Sequence, residues 1–193
     1  MKRTEIIQAF INKINAQKYL EIGMGCGTNH RSIQCGYKLS VDPIPTNPVT
    51  HAMTSDDFFK QNKEIFDVIF IDGLHWSEQV YRDVINALDV LSDGGIIVCH
   101  DMSPPDEGHQ VYPQPVTQSN WTGDCWKAWV KLKTERSDLV MAVVDTDYGC
   151  GIITRGEQEP IVVDGELTYE MLDNNRVELL NLISVEEFNK RYN

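Results

Sequence analysis

The 193-residue sequence predicts an α/β fold built on a mostly parallel sheet. Three observations carry that expectation. A short, mostly apolar run from Lys18 to Ile22 ends in glycines at 23, 25 and 27. Two further runs, 66–72 and 96–99, are too apolar to have a wet face and read as central strands buried on both sides. Between them lies an amphipathic stretch, which makes a strand–helix–strand unit.

Length suits one domain over 1–193, with a short helical C-terminal extension from about 166 to 193. A net charge of −12 argues against a nucleic-acid surface, which needs a basic patch, and against an anionic membrane surface. No apolar run reaches the roughly 20 residues that span a bilayer. The start, Met-Lys-Arg-Thr-Glu-Ile-Ile-Gln, is too polar for a signal peptide. A cytoplasmic protein is expected. Its five cysteines, with no Cys-x-x-Cys pair, read as reduced and mostly buried thiols.

Taken in order, Ile6, Ile7, Phe10, Ile11 and Ile14 lie at helical spacing over 4–16, with Thr4 as a candidate N-cap. A strand over 18–22 runs into the glycine loop, and a short helix over 28–35 follows. Glycines there let the chain turn tightly and let a ligand approach bare backbone. A second strand, 37–42, ends at Asp42, about 20 residues after the loop begins. An acid there can accept both ribose hydroxyls; it can also simply serve the turn before Pro43. Pro43, Pro45 and Pro48 stiffen the connection to a short strand over 49–53. The cluster Thr54-Ser55-Asp56-Asp57 caps a helix over 56–62.

The run 66–72 ends at Asp72. Ser77 then caps a helix with Val80, Val84, Leu88 and Leu91 on one face, ended by Gly94-Gly95. The strand 96–99 closes with His100-Asp101. Residues 102–121, rich in proline, read as a lid or binding loop. Asp124 caps a helix whose Trp126, Trp129 and Val130 belong to the core. Strands over 139–144 and 149–154 form a hairpin across the turn 145–148. A last helical region carries Leu179, Leu180 and Ile183, and Ser184-x-x-Glu187 is a capping box before Phe188.

In an open parallel sheet, ligands bind beyond the carboxyl ends of the strands. Two neighbouring strand ends therefore bring Asp72, His75, His100 and Asp101 to one mouth beside the glycine loop. Two carboxylates with imidazole suit a divalent ion, Mg²⁺ or Mn²⁺. The same residues could merely bond backbone at strand ends.

Three segments together, Glu21-Ile-Gly-Met-Gly-Cys-Gly, Phe66-Asp-Val-Ile-Phe-Ile-Asp-Gly-Leu-His and Leu91-Ser-Asp-Gly-Gly-Ile-Ile-Val-Cys-His-Asp, followed by the hairpin, run in the order of class I S-adenosylmethionine-dependent methyltransferases. The branch that the sequence most resembles is the metal-dependent macrocin and mycinamicin type of O-methyltransferase. The resemblance implies a Rossmann-like, mostly parallel seven-stranded sheet with a C-terminal antiparallel hairpin and flanking helices. It implies that Glu21, Gly23, Gly25 and Gly27 wrap the methionine part of S-adenosylmethionine, with Asp42 on the ribose, Ser55 or Asp56 at the adenine and Asp72 beside the cofactor. Asp72, His100 and Asp101 carry over as ligands of a divalent metal, although His100 stands where the family has an acid. Leu74 stands where some members keep a basic Asp, which leaves His75 as the base.

The expected function is methyl transfer to a hydroxyl of a small molecule of sugar or natural-product type. The alternatives are N-methylation, other metal-assisted chemistry on the same fold, and a non-catalytic cofactor-binding protein acting through a partner. Nicotinamide chemistry is disfavoured, because Thr28 replaces the third glycine of the dinucleotide fingerprint. No nucleic-acid or membrane partner is expected, and a homo-oligomer is open.

Overall fold

In a computed structural model that describes residues 1–117 and 120–192, seven strands join in one sheet. The elements are α1 (Arg3–Ile14), β1 (Lys18–Ile22), α2 (Thr28–Ser32), β2 (Tyr37–Val41), α3 (Ser55–Gln61), β3 (Phe66–Ile71), α4 (Ser77–Asp89), β4 (Leu91–Cys99), α5 (Cys125–Glu135), β5 (Leu139–Val144), β6 (Cys150–Arg155), α6 (Tyr169–Leu180), β7 (Leu182–Ile183) and α7 (Val185–Tyr192). The strand order is β2-β1-β3-β4-β6-β5-β7. The first three pairings, β2–β1, β1–β3 and β3–β4, are parallel. β6 runs antiparallel to both β4 and β5, so the expected hairpin closes the sheet. The mostly parallel, seven-stranded Rossmann-like fold is borne out.

Both faces of the sheet are covered. One core layer joins β-strand residues such as Leu20, Ile69 and Ile97 to Val84, Trp126 and Trp129 of α4 and α5. The other packs Phe70 and Val98 under Ile6, Ile7 and Phe10 of α1 and Phe188 of α7. Alternate residues of β3 and β4 thus serve opposite layers, and this is why those strands carry no polar face. At the chain's two ends, the Phe10 and Phe188 rings meet edge to face at 5.6 Å, and Lys13 Nζ donates to the Tyr192 carbonyl.

The register levels the strand ends. Ile22 pairs with Val41 and with Ile71, and Ile71 pairs with Cys99. The next residue in each strand is Gly23, Asp42, Asp72 or His100, so these four emerge in one row.

Several local expectations change. Thr4 does not cap α1: its hydroxyl donates to Asn29 Oδ1 at 2.7 Å, and Lys2 holds the cap position. The strand over 49–53 shrinks to one bridge between Val41 and His51, because the Thr50 hydroxyl takes the Ser40 N–H and the Met53 N–H turns back to the His51 carbonyl. Thr54, not Ser55 or Asp56, caps α3 by accepting from the Asp57 N–H. Asp124 does not cap its own helix. Its carboxylate reaches instead to the Ser77 N–H at 2.6 Å and hydroxyl at 2.9 Å, and so caps α4 from across the fold. β4 starts at Leu91, which pairs with Phe66 before the register shifts; Gly94 and Gly95 lie in that bulge rather than ending α4. Ile183 is not helical but pairs with Val144 in β7. Ser184 Oγ accepts from the Glu187 N–H, as the capping box requires. Gln118 and Ser119 of the loop 102–121, and Asn193 of the tail, lie outside the described residues. Among the described residues, no helix is long and apolar enough to cross a membrane.

One buried acid sets a pH dependence. Asp83 on α4 is 1% exposed, and Gln79 Nε2 donates to its Oδ1 at 2.9 Å. Burial pushes its carboxyl up to about 6, against hydrogen bonds from Ser55 and Gln79 that hold it down. The folded state therefore binds this proton more tightly than the unfolded chain, where the value is about 3.9. Stability falls as pH rises between the two values, and the cost is complete above the folded one. Asp83→Asn keeps an acceptor for Gln79. It should stabilise the protein by about 1–3 kcal/mol at pH 8 and by little at pH 4. Urea unfolding of both forms at the two pH values checks this; an equal gain at both would refute it.

Candidate active site

The row of strand ends floors a cavity of about 890 Å³. Of the glycine loop, Gly23 and Gly25 line it, and both have positive φ (+84° and +51°). The two do different things. A Cβ on Gly23 would lie 2.0 Å from the Asp72 carbonyl oxygen, so Gly23 lets β1 and β3 end side by side. A Cβ on Gly25 meets nothing within 4 Å; the space before it is open to a ligand. This cradle fits a cofactor drawn close to backbone. Gly27 begins α2 and does not line the cavity.

The acids near the loop are already engaged. Glu21 is 1% exposed and accepts from the Tyr19 hydroxyl at 2.7 Å and Asn29 Nδ2 at 3.2 Å; it fastens α2 to β1 at the cavity's edge. Asp42 Oδ2 accepts from the Gly25 N–H at 2.7 Å, and its Oδ1 from the Ile44 N–H at 2.8 Å. It therefore sets the shape of the loop, and each oxygen keeps a second lone pair for a ligand. Ser55 lines the cavity beside Gln79, whose Nε2 donates to Ser55 Oγ at 3.2 Å. Asp56 does not line it: Gln79 and Arg82 hold its carboxylate.

At the other end of the cavity, Asp72, His100 and Asp101, the residues expected to bind metal, lie together. Asp72, His75 and Asp101 bring donor atoms within 4.8 Å of one another, and His100 Nδ1 reaches the same two carboxylates, 3.4 Å from Asp72 Oδ1 and 3.0 Å from Asp101 Oδ1. His100 also belongs to a second such group, with Asp147 and Cys150. The His75 ring lies between the two carboxylates, Nε2 3.3 Å from Asp72 Oδ1 and Nδ1 3.3 Å from Asp101 Oδ2. Trp121 stacks on that ring at 4.8 Å. The loop 102–121 thus forms one wall of the site through Trp121. The donor chemistry of Asp72, His75 and Asp101 fits a divalent cation, provided the ring gives up one carboxylate.

Burial and charge oppose each other throughout this cluster. Burial favours a neutral Asp72, yet His100 and His75 hold its carboxyl well below the usual range. Burial favours a neutral His75 too, but Asp72 and Asp101 raise it above its ordinary value. His100 is raised well above its own by Asp72 and Asp101, against the effect of burial. Burial raises Asp101. With a proton on His100 Nδ1, that atom donates to Asp101 Oδ1 at 3.0 Å, and the nearby Arg3 Nη1 at 3.1 Å is a packing contact.

Sequence reasoning missed Arg3 and Asp147, which both line the cavity. Arg3 Nη1 donates to Asp72 Oδ2 at 2.8 Å, and its Nε to Asp147 Oδ2 at 2.9 Å. No local pattern marks either residue: one lies in the first turn of α1, the other in the hairpin turn. Non-glycine residues in the left-handed region gather here, at Asp101 (φ 63°), Asp147 (48°) and Tyr148 (62°). Such strain is commonly held at functional sites.

A family described as a methyltransferase domain matches residues 28–102. A search of curated proteins finds no match. Among solved structures, the chain resembles an O-methyltransferase from Bacillus cereus in complex with S-adenosylhomocysteine. Identity there is 16%, coverage is 78% of this chain and 79% of that one, and the TM-score is 0.56. It also resembles the O-methyltransferase TomG from Streptomyces achromogenes, involved in tomaymycin synthesis and bound to S-adenosylmethionine, at 13% identity, 79% of each chain and 0.59. The N-methyltransferase NodS from Bradyrhizobium japonicum is similar at 15% identity, 80% of this chain, 94% of that one and 0.51. At such identities the likeness is one of fold. Fold and domain match agree with the class expected from the glycine loop and the strand ends: the chain has the fold of the class I S-adenosylmethionine-dependent methyltransferases and matches a methyltransferase domain over residues 28–102.

Proposed function

We propose that the protein transfers the methyl group of S-adenosylmethionine to a hydroxyl of a small molecule. One observation carries this reading. The open cradle before Gly25 and the Asp72–His75–Asp101 cluster share one cavity, side by side at levelled strand ends. A methyl donor and an acceptor group need that adjacency.

The sulfonium of the cofactor supplies an already activated methyl group, so the protein's share is alignment and deprotonation. The loop at Gly25 receives the methionine part. Asp42, holding that loop by the Gly25 N–H, turns its free lone pairs to the ribose. Ser55, with Gln79, borders the adenine. His75 takes the acceptor proton, and Asp72 orients its ring through Nε2. Asp72, His100 and Asp101 are the residues that would hold Mg²⁺ or Mn²⁺, which would polarise the acceptor oxygen there. Trp121 walls the acceptor side.

Two experiments test the reading. Calorimetric titration with S-adenosylhomocysteine should show binding by the wild type. Asp42→Ala should weaken it by about 1.5 kcal/mol or more, the scale of a hydrogen bond to a charged group. Gly25→Val should abolish binding while the fold survives. Gly23→Val should damage the fold itself, since its Cβ would strike the end of β3. Full affinity in Gly25→Val would reduce the loop to a turn.

The second measures methyl transfer to a panel of hydroxyl and amine acceptors. Because Asp72 and Asp101 raise His75, the rate should climb with pH through a limb above the ordinary imidazole value of about 6.5. A base works only when deprotonated, so raising its pKa moves the limb upward. His75→Ala should keep cofactor affinity, lose roughly 10²–10⁴-fold in rate and lose that limb. An unchanged profile would remove His75 as the base, and turnover of amines alone would make the chain an N-methyltransferase.

A further inference from the structure

Arg3 spans the two carboxylates that flank the mouth. Its Nε and Nη2 donate to the two oxygens of Asp147, at 2.9 and 3.2 Å, and Nη1 reaches Asp72 Oδ2 at 2.8 Å. Its backbone N–H adds a third bond to Asp147, at 2.9 Å. A two-pronged guanidinium–carboxylate contact fixes geometry as well as charge. The turn that carries Arg3 is tied down on both sides. The Thr146 hydroxyl donates to the Met1 carbonyl, and Thr4 reaches Asn29, which itself donates to Glu21 beneath the glycine loop.

A second observation concerns His100. Its side chain is 2% exposed, and its Nε2 has no hydrogen-bond partner; the nearest carboxylate oxygen is Asp147 Oδ2, 3.8 Å away. Asp147 is turned from His100 toward Arg3. Three carboxylates, Asp72, Asp101 and Asp147, thus face one mouth. Among the described residues Arg3 is the arginine or lysine that pairs with two of them. Like charges so close need a cation among them. The His75 and His100 imidazoles share in that, and a divalent ion is a further species that could meet the need.

We propose that Arg3 is the resident cation of this cluster, and that a divalent ion reaches Asp72 only by displacing it. The first turn of α1 then acts as a plug. With Arg3 seated, Asp72 offers an ion only the oxygen facing His75, and the guanidinium repels the newcomer. With Arg3 withdrawn, Asp72 and Asp147 are bare, and the unpartnered His100 Nε2 joins them as a donor. Arginine and ion weaken each other reciprocally, as two ligands of one site must. This inference rests on the contacts of Arg3 and not on methyl transfer, so its test involves no turnover.

The experiment is Mn²⁺ binding followed by the electron paramagnetic resonance signal of the free ion. It uses the full chain as wild type, Arg3→Met, Arg3→Lys and Arg3→Met with Asp72→Asn. Arg3→Met should bind Mn²⁺ roughly ten-fold or more tighter than wild type, within the usual range of such coupling. Adding Asp72→Asn should erase the gain. Arg3→Lys keeps the charge, and with it the fold, but cannot span both carboxylates; it should gain a smaller, measurable factor. Circular dichroism of each variant identifies a misfolded one, and Arg3→Lys then decides alone. Equal Mn²⁺ affinity in wild type and the folded Arg3 variants would overturn the proposal. So would a gain that survives Asp72→Asn.

Discussion

The site depends on strand register. Val41, Ile22, Ile71 and Cys99 stand level across four strands, so that Asp42, Gly23, Asp72 and His100 leave the sheet together. Parallel pairing sets that level, and the side chains of β3 and β4, apolar on both faces, hold it. A slip of one residue would reverse every face and bury the acids in the core. Gly23 is the point of least tolerance, because two backbones close there to a distance that admits no side chain. The functional row is thus a by-product of how the hydrophobic layers lock.

Above that row the protein concentrates charge where burial opposes it. Asp101 and His100 are nearly inaccessible, and Asp72 and His75 are little more open. Their mutual pairing keeps the cluster stable, and each residue is held by at least two others. Removing one partner therefore exposes the rest to a desolvation cost that isolated surface pairs never meet. The left-handed backbone at Asp101 and Asp147 adds strain where these acids meet their partners, Asp101 with His75 and His100 and Asp147 with Arg3.

Much of this was legible in the sequence, and the losses have physical causes. The strands at 18–22, 66–72 and 139–144 announced themselves because burial on both faces leaves mostly apolar runs, with charge confined to a few positions such as Glu21 and Asp67. The four strand-end residues followed from topology alone. Asp124 misled because a capping residue is recognised by its neighbours in sequence, whereas this one serves a helix 47 residues away. Ile183 misled because a two-residue strand has no period to read. Arg3 was invisible for the same reason as Asp124: its partners lie 69 and 144 residues away, and an exposed-looking Lys-Arg start carries no sign of them.

The embrace of the first and last helices has a consequence for biosynthesis. A chain emerging from the ribosome makes Arg3 144 residues before Asp147, and Phe188 later still. The four parallel strands can assemble earlier, since all lie before residue 100. For that interval the nascent chain holds a formed glycine loop and the Arg3 guanidinium without the Asp147 carboxylate that fixes it, while the apolar side of α1 lacks the ring that will cover Phe10. Domains are built N-terminus first; this one completes its acidic mouth only when the hairpin turn returns to a residue made 144 positions earlier.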